Sequence, residues 1–454
     1  MTVSNGATTA APHELATGRS KLATWSWALW DWAEQPYPTI FQTFIFATYI
    51  VSSPFGDPDS NAQWLAVAGA IAGLIVAVTS PVIGQATDES GRRKRWLLIN
   101  SGILIAIMAV SWFIEPSPEF FVMGIALYAI GSVVQESSFI NYYAMLPQVA
   151  SKKNMGKVSG FAWGLGYAGG IILLLISLVG FYLPDQPWFG ISNAESDLFN
   201  IRFMFLLSAA WMLVFTLPLA FFVPESPARK KGPRTSIAGA YRSLFSDLKR
   251  LRRESPDTLK FLIASAIYRD GLAGVFTFGA ILGSVAFGFS KTDVIFFGIA
   301  ANIVAGIGAA LGGFLDDRIG TKRTIMGSLI GLLIAGTAVF AFAGAGQITY
   351  WIGGLALCLF VGPAQASSRT FVARIAPTGR EGWIFGLYQT TGRAASFLSP
   401  AFWWIATSIA FLFGIKHTAI YGILGIIVVL AVGMVLLLRV HPAPTIADES
   451  AAAH

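Results

Sequence analysis

Charge is what this sequence is shortest of. Only 12% of its 454 residues are Asp, Glu, Lys or Arg, and 55% are hydrophobic. A soluble globular domain carries roughly 25% charged residues. So little charge cannot screen so much apolar surface from water, which excludes an ordinary soluble fold and leaves no room for a sizeable soluble domain. Cysteine is nearly absent: Cys358, inside an apolar run, stands alone, so intramolecular disulfides are excluded. Histidine is scarce, and His13, His417, His441 and His454 fall in tails or loops, which excludes a buried histidine relay. No Gly-xxxx-Gly-Lys-Ser/Thr string occurs, which excludes an ATP motor built on that phosphate loop. No metal-ligand or nucleophile–base spacing is visible, so no catalytic residue, metal or cofactor is expected and the chain is read as no enzyme. The glycine-rich GIGAALGG (306–313) lies within an apolar run with no strand before it, and reads as close helix packing rather than a dinucleotide loop.

What is there is hydrophobic runs. They cover about 25–52, 62–84, 95–114, 119–146, 157–182, 201–223, 259–285, 293–315, 324–344, 348–374, 383–411 and 418–438. Each is close to the roughly 20 residues a spanning helix needs. The expected fold is therefore an all-α membrane protein with twelve transmembrane helices. Residues 1–21 are polar with no apolar core, so no cleavable signal peptide is expected. The expected divisions are a cytoplasmic tail (1–21), a first six-helix bundle (22–223), a basic linker (224–256), a second bundle (257–440) and a disordered tail (441–454). In the linker, 236–253 has apolar residues near helical spacing and a basic face, and predicts an amphipathic helix on the membrane surface.

The net charge of +7 is local. Lys and Arg crowd the even-numbered connections, as in Arg92, Arg93, Lys94 and Arg95, while the odd-numbered ones hold only Lys291 and Lys416. Such a distribution marks orientation, not nucleic-acid binding, and predicts an inner (plasma) membrane protein with both termini cytoplasmic.

The two halves repeat. Gly84, Asp88 and Gly91 match Gly313, Asp317 and Gly320 at an offset of 229, and Gln135, Ser137, Ser138 and Pro147 match Gln365, Ser367, Ser368 and Pro377 at 230. Two parallel six-span repeats predict two pseudo-symmetric bundles with a solute site near the midplane between them. The string Gly-xxx-Asp-xx-Gly-Arg-Arg-Lys at 84–94, echoed at 313–323, resembles the signature loop of the major facilitator superfamily. WALWDWAEQPYPTIFQTFIF (27–46), GFAWGLGYAGG (160–170), YRDG (268–271) and the run from Ala364 to Pro400 resemble its autophagy-related vacuolar-effluxer branch and the bacterial relatives of that branch. The resemblance implies a secondary transporter, with amino-acid export as the best-known activity of the fungal members. An Arg in span 4 and a Gly-Pro element in span 5, usual in multidrug proton antiporters, are missing.

Candidate transport residues follow from cost: an ionisable group within a span is expensive and functional by default. Asp31, Glu34 and Gln35 share a face of span 1, beside Pro36 and Pro38, which should break the helix. Span 7 offers Arg269 and Asp270; an aspartate pairing of Asp31 with Asp270 across the repeat is plausible. Spans 4, 10 and 11 offer Gln135, Glu136, Tyr142, Gln365, Arg369, Tyr388 and Arg393. A zwitterion needs a cation for its carboxylate (Arg369 or Arg393) and an anion for its ammonium (Glu34 or Glu136). The competing reading is an inter-repeat salt bridge between Glu136 and Arg369. The proton carriers, if there is coupling, are Asp31, Glu34, Glu136 or Asp270. Gly84, Asp88, Gly91, Arg92, Arg93, Gly313, Asp317, Gly320, Lys322 and Arg323 are expected to gate, the aspartates latching the cytoplasmic side. The expected partners are a small-molecule solute, the bilayer and, if there is coupling, protons, in a monomer. The favoured solute is small and amino-acid-like, exported; the alternatives are a larger amphipathic compound or, far behind, a membrane-embedded enzyme.

Overall fold

A computed structural model describes residues 20–441, apart from 193, 195–196, 226–245, 247–248, 250, 254 and 378. The amphipathic helix expected at 236–253 lies largely outside the described residues, as do nearly all of both tails. No strand occurs among the described residues. Twelve helical spans follow in order. They are α1 (Lys21–Glu34, prolonged by Pro36–Phe44 and Phe46–Ile50), α2 (Pro58–Ser90), α3 (Arg93–Val110), α4 (Phe121–Ala144), α5 (Met155–Ser177) and α6 (Phe199–Phe222). The second half supplies α7 (Pro256–Ile281), α8 (Lys291–Ile319), α9 (Thr321–Ala341), α10 (Gln347–Ile375), α11 (Glu381–Ala395, then Leu398–Leu412) and α12 (Gly422–Leu438).

Eleven of these, α2 to α12, are long and apolar enough to cross a membrane. α1 is interrupted, for a reason visible in its sequence. Pro36 and Pro38 have no N–H to donate, so the regular ladder cannot pass them. The chain widens into a π-helix over Pro36–Phe44, closed by Ile45 N–H donating to the Ile40 carbonyl, five residues back, at 3.0 Å. α11 breaks at 396–397, where the Asp270 carboxylate accepts the Ser399 N–H at 2.5 Å and so caps the restarted helix.

Packing repeats with the sequence. In the first half α1 meets α5 and α6, α4 meets α2 and α3, and α3 meets α6; in the second, α7 meets α11 and α12, α10 meets α8 and α9, and α9 meets α12. The halves join along α2–α11 and α5–α8, two seams that the repeat interchanges.

Candidate functional site: latches and a central cavity

The two signature loops lie at one face, called here the latch face. Asp88, near the end of α2, accepts the N–H groups of Gly382 (2.9 Å) and Trp383 (2.8 Å) at the start of α11. Its mirror, Asp317, accepts those of Gly156 (2.8 Å) and Lys157 (2.9 Å) at the start of α5. Each carboxylate thus fills the orphan donors and positive dipole end of a helix from the opposite half. The cations differ. Arg93 binds Asp88 at 2.5 Å and crosses to Glu381 at 2.6 Å. In the second latch the cation is Arg374 of α10, 2.9 Å from Asp317 and 2.7 Å from Asp316. Lys322, expected in a latch, instead donates to the Leu438 and Val440 carbonyls that end α12. Lys94 does the same for α6, through Ala220 and Val223. Arg92 and Arg323 stand exposed, outside both latches.

The signature glycines divide into two jobs. Gly91 (φ 62°) and Gly320 (φ 92°) make the turns, as backbone freedom requires. Gly84 and Gly313 are helical and permit contact: a Cβ on Gly84 would lie 2.0 Å from the Gly382 carbonyl oxygen, and one on Gly313 2.3 Å from that of Gly156. They let the two seams close.

One layer deeper, charge pairs cross between halves. Arg369, 1% exposed, binds Asp31 at 3.1 Å and donates to the Ser159 hydroxyl (2.9 Å) and carbonyl (2.6 Å). Trp27, Tyr142, Tyr143 and Trp163 surround its guanidinium at 5.0–5.6 Å. Tyr142 stacks on Trp27 and donates to Asp31 at 3.0 Å. Glu136 pairs with Arg393 and accepts from Gln389 at 2.6 Å. The suggested Glu136–Arg369 bridge is therefore replaced by Asp31–Arg369 and Glu136–Arg393. Arg269 lies 3.7 Å over the Tyr388 ring and donates to the Tyr388 carbonyl and the Gln389 side chain, both at 3.2 Å.

Beyond these pairs the molecule is hollow. A cavity of about 280 Å³ is lined by Asp31, Glu34, Gln35, Gln135, Glu136 and neighbours. A second, of about 700 Å³, runs between the halves from Gln35 and Tyr167 to the loop residues Ser52, Ser53 and Pro54 at the opposite face. A third, of about 600 Å³, penetrates the second bundle between Val275, Phe276, Leu332, Leu357 and Ile426. Asn302 of α8 lines all three. Glu34 is wholly buried; Gln135 donates to one of its oxygens, and the other has no partner among the described residues.

The structure thus brings Glu34, Gln35, Gln135 and Glu136 to one cavity wall, with Asp31 at its edge. Tyr142, Arg369, Tyr388, Arg393 and the half-buried Gln365 do not line these cavities. Asp270, a candidate proton carrier, caps the restarted part of α11, and its carbonyl accepts from the Ser399 hydroxyl. Sequence reasoning missed Asn302, Glu381, Arg374 as a latch cation, and Ser159. Asn302 carried a readable signal, a lone amide in an apolar run. Arg374 and Glu381 read as loop charges because their partners lie far away in the chain.

Fold, latches and central hollow define a transporter of the major facilitator type, and comparison with known proteins agrees. The chain belongs to the family described as vacuole effluxer Atg22 like, whose model matches residues 59–443. It is 29% identical over 430 residues to an uncharacterized MFS-type transporter, YxiO, of Bacillus subtilis, covering 94% of this chain and 96% of that one. Autophagy-related protein 22-1 of Neosartorya fischeri is 25% identical over 275 residues, covering 54% of this chain; the match spans only 42% of that fungal protein. Among solved structures, the human organic anion transporter MFSD10 superposes with a TM-score of 0.68 at 16% identity, over 92% of this chain and 99% of that one. The proton:xylose symporter XylE gives 0.66 at 15%, over 95% and 98%. At such identities the solved structures speak for the fold alone.

Proposed function

We propose that this transporter exports a small polar solute bearing an ammonium group, amino acids among them, by proton-coupled alternating access. The latch face is taken as cytoplasmic, with both termini, because Lys and Arg crowd its connections. With both latches made and the 700 Å³ cavity reaching the opposite face, the conformation corresponds to the outward-open end of the cycle. The observation that carries the reading is Glu34: a fully buried carboxylate on the cavity wall with one oxygen free of partners. Such a group is costly when charged and unpaired. A solute cation or a proton each relieves that cost, so the two compete for one place, which is how an exchanger couples them. Inward opening requires Asp88 and Asp317 to release the helix starts of α11 and α5, and the seams at Gly84 and Gly313 to part.

The test begins with a thermal-shift screen of the purified protein against amino acids and amines. Hits are then tried in proteoliposomes containing a pH-sensitive dye. Solute-driven proton movement and saturable counterflow are expected; transport that ignores an imposed pH gradient overturns the coupling. A larger amphipathic solute is the second reading, favoured by the apolar 600 Å³ cavity in the second bundle.

A further inference from the structure

The three cavities have a one-sided charge pattern. Among the described residues, their only charged lining residues are Asp31, Glu34 and Glu136, all acids, and all from the first half. Arg269, Arg369 and Arg393, the cations nearest in the bundle, line none of them. Arg369 is spent on Asp31 and Ser159, Arg393 on Glu136, and Arg269 on Tyr388 and Gln389. A solute carboxylate therefore meets no free guanidinium on these walls and is set beside Glu34, the lining acid that no arginine neutralises among the described residues. An ammonium is matched to Glu34, one of whose oxygens has no partner among the described residues, with the amide side chains of Gln35, Gln42 and Asn302 lining the same cavity.

The second observation is where the apolar space lies. The cavity in the second bundle adjoins the acidic one, and Pro38 and Asn302 line both. Away from the residues they share its wall is mainly hydrocarbon and aromatic, with Val275, Phe276, Leu332, Ile426, Ile427 and Leu430 beside Thr277 and Cys358. About 600 Å³ is far more than an amino-acid side chain fills, and lies in the range of pockets that hold drug-sized ligands. The repeat makes the asymmetry sharper. At the offset of 230, Glu136 corresponds to Ala366; matching Asp31 with Asp270, an offset of 239 that the longer loop after span 1 allows, sets Ala273 opposite Glu34. One lobe kept the acids and the other opened a greasy recess.

We infer that the solute is an amphipathic amine: a cationic nitrogen held at Glu34, with an apolar body seated in the recess of the second bundle and no carboxylate required. This rests on the reading of the same cavity given above and narrows it, placing amines ahead of the amino acids from which they differ by a carboxylate.

Equilibrium binding to the protein in lipid nanodiscs tests it without requiring transport. Phenethylamine, phenylalanine and 3-phenylpropionate share one ring and differ in charge; ethylamine keeps the charge and loses the ring. Phenethylamine is expected to bind at least tenfold more tightly than phenylalanine and ethylamine, and 3-phenylpropionate not measurably. In Glu34→Gln the advantage of phenethylamine over phenylalanine should fall at least fivefold. In Ile427→Trp, which narrows the recess, the advantage of phenethylamine over ethylamine should fall while ethylamine is unaffected. Equal or tighter binding of phenylalanine overturns the inference and leaves the exporter reading standing, as does a failure of all four probes to bind; equal or tighter binding of 3-phenylpropionate, which has no ammonium group, overturns both. Amine-selective binding without solute-driven proton movement upholds the inference and sinks the coupling. Should either variant misfold, the four-probe series on the wild-type protein decides alone.

Discussion

The two halves of this transporter share a fold and differ in what they bring to its centre. The first contributes acids: Asp31, Glu34 and Glu136 line the cavities. The second contributes arginines, Arg369 and Arg393, which turn away from the cavities to bind two of those acids. Glu34 is the acid left over. The repeat accounts for the matching helices and latches, whereas the acids that line the centre come from the first half alone. A symmetric pair of sites would give a rocking molecule two competing places for its solute. On the proposed function, alanine at 366, opposite Glu136, and at 273, opposite Glu34 when Asp31 is matched with Asp270, leaves the cycle a single such place.

The largest expected effect breaks the deepest cross-half pair. Arg369→Ala leaves Asp31 buried without its cation and removes two bonds to Ser159. Losing one partner of a buried ion pair costs about 3–5 kcal/mol. Arg393→Ala should cost less, about 1 kcal/mol, because the Arg393 side chain is 37% exposed and its pair is weakened by solvent. Thermal or denaturant unfolding of the two variants in matched detergent checks the ordering. Equal losses would mean that burial does not distinguish the two bridges.

The seams come next. Gly84→Ala and Gly313→Ala each place a methyl within about 2 Å of a backbone oxygen across the interface. Backbone cannot yield as a flexible side chain can, so the latch face should be held apart. Transport should fall at least tenfold, and cysteines introduced there in a background lacking Cys358 should label faster. Gly73→Ala, with nothing within 4 Å of its added methyl, is the matched control and should be silent.

How much of this was written plainly in the sequence depends on distance along the chain. The twelve spans, the broken α1 and the pairing of Asp88 with Asp317 were legible, because hydrophobic length, two prolines and a repeated string are local signals. The wall of Glu34, Gln35, Gln135 and Glu136 was legible as cost, since each is a polar group inside an apolar run. Which cation serves which acid was not. Arg374 replaces the loop cation in the second latch, and Arg369 chooses Asp31 over Glu136, because pairing is decided by the angle at which helices cross and by which side chain the seam buries. Likewise Gly84 and Gly91 look alike in a string, yet one allows contact and the other a turn.

A smaller effect separates the latches from one another. Asp88 sits in a network of two helix N–H groups, Arg93 and, through Arg93, Glu381 on the other half. Asp317 also takes two cross-half N–H groups, but its cation Arg374 belongs to its own half and is shared with Asp316. Both aspartates hold a helix start, and hydrogen bonds to a charged group are worth about 1.5–3 kcal/mol each. Asp88→Asn should therefore shift the molecule toward the inward-open state more than Asp317→Asn, because it also loosens the only guanidinium that bridges a latch carboxylate to the other half among the described residues. Glu381→Gln isolates that extra contribution: it leaves Asp88 and its two N–H donors in place, and should bring the first latch down to the strength of the second. Distance distributions between spin labels on the α2–α3 and α8–α9 loops read the populations directly. If Glu381→Gln changes nothing while Asp88→Asn and Asp317→Asn act equally, the latches are held by helix starts alone, and the cross-half arginine is a consequence of closure, with no part in setting it.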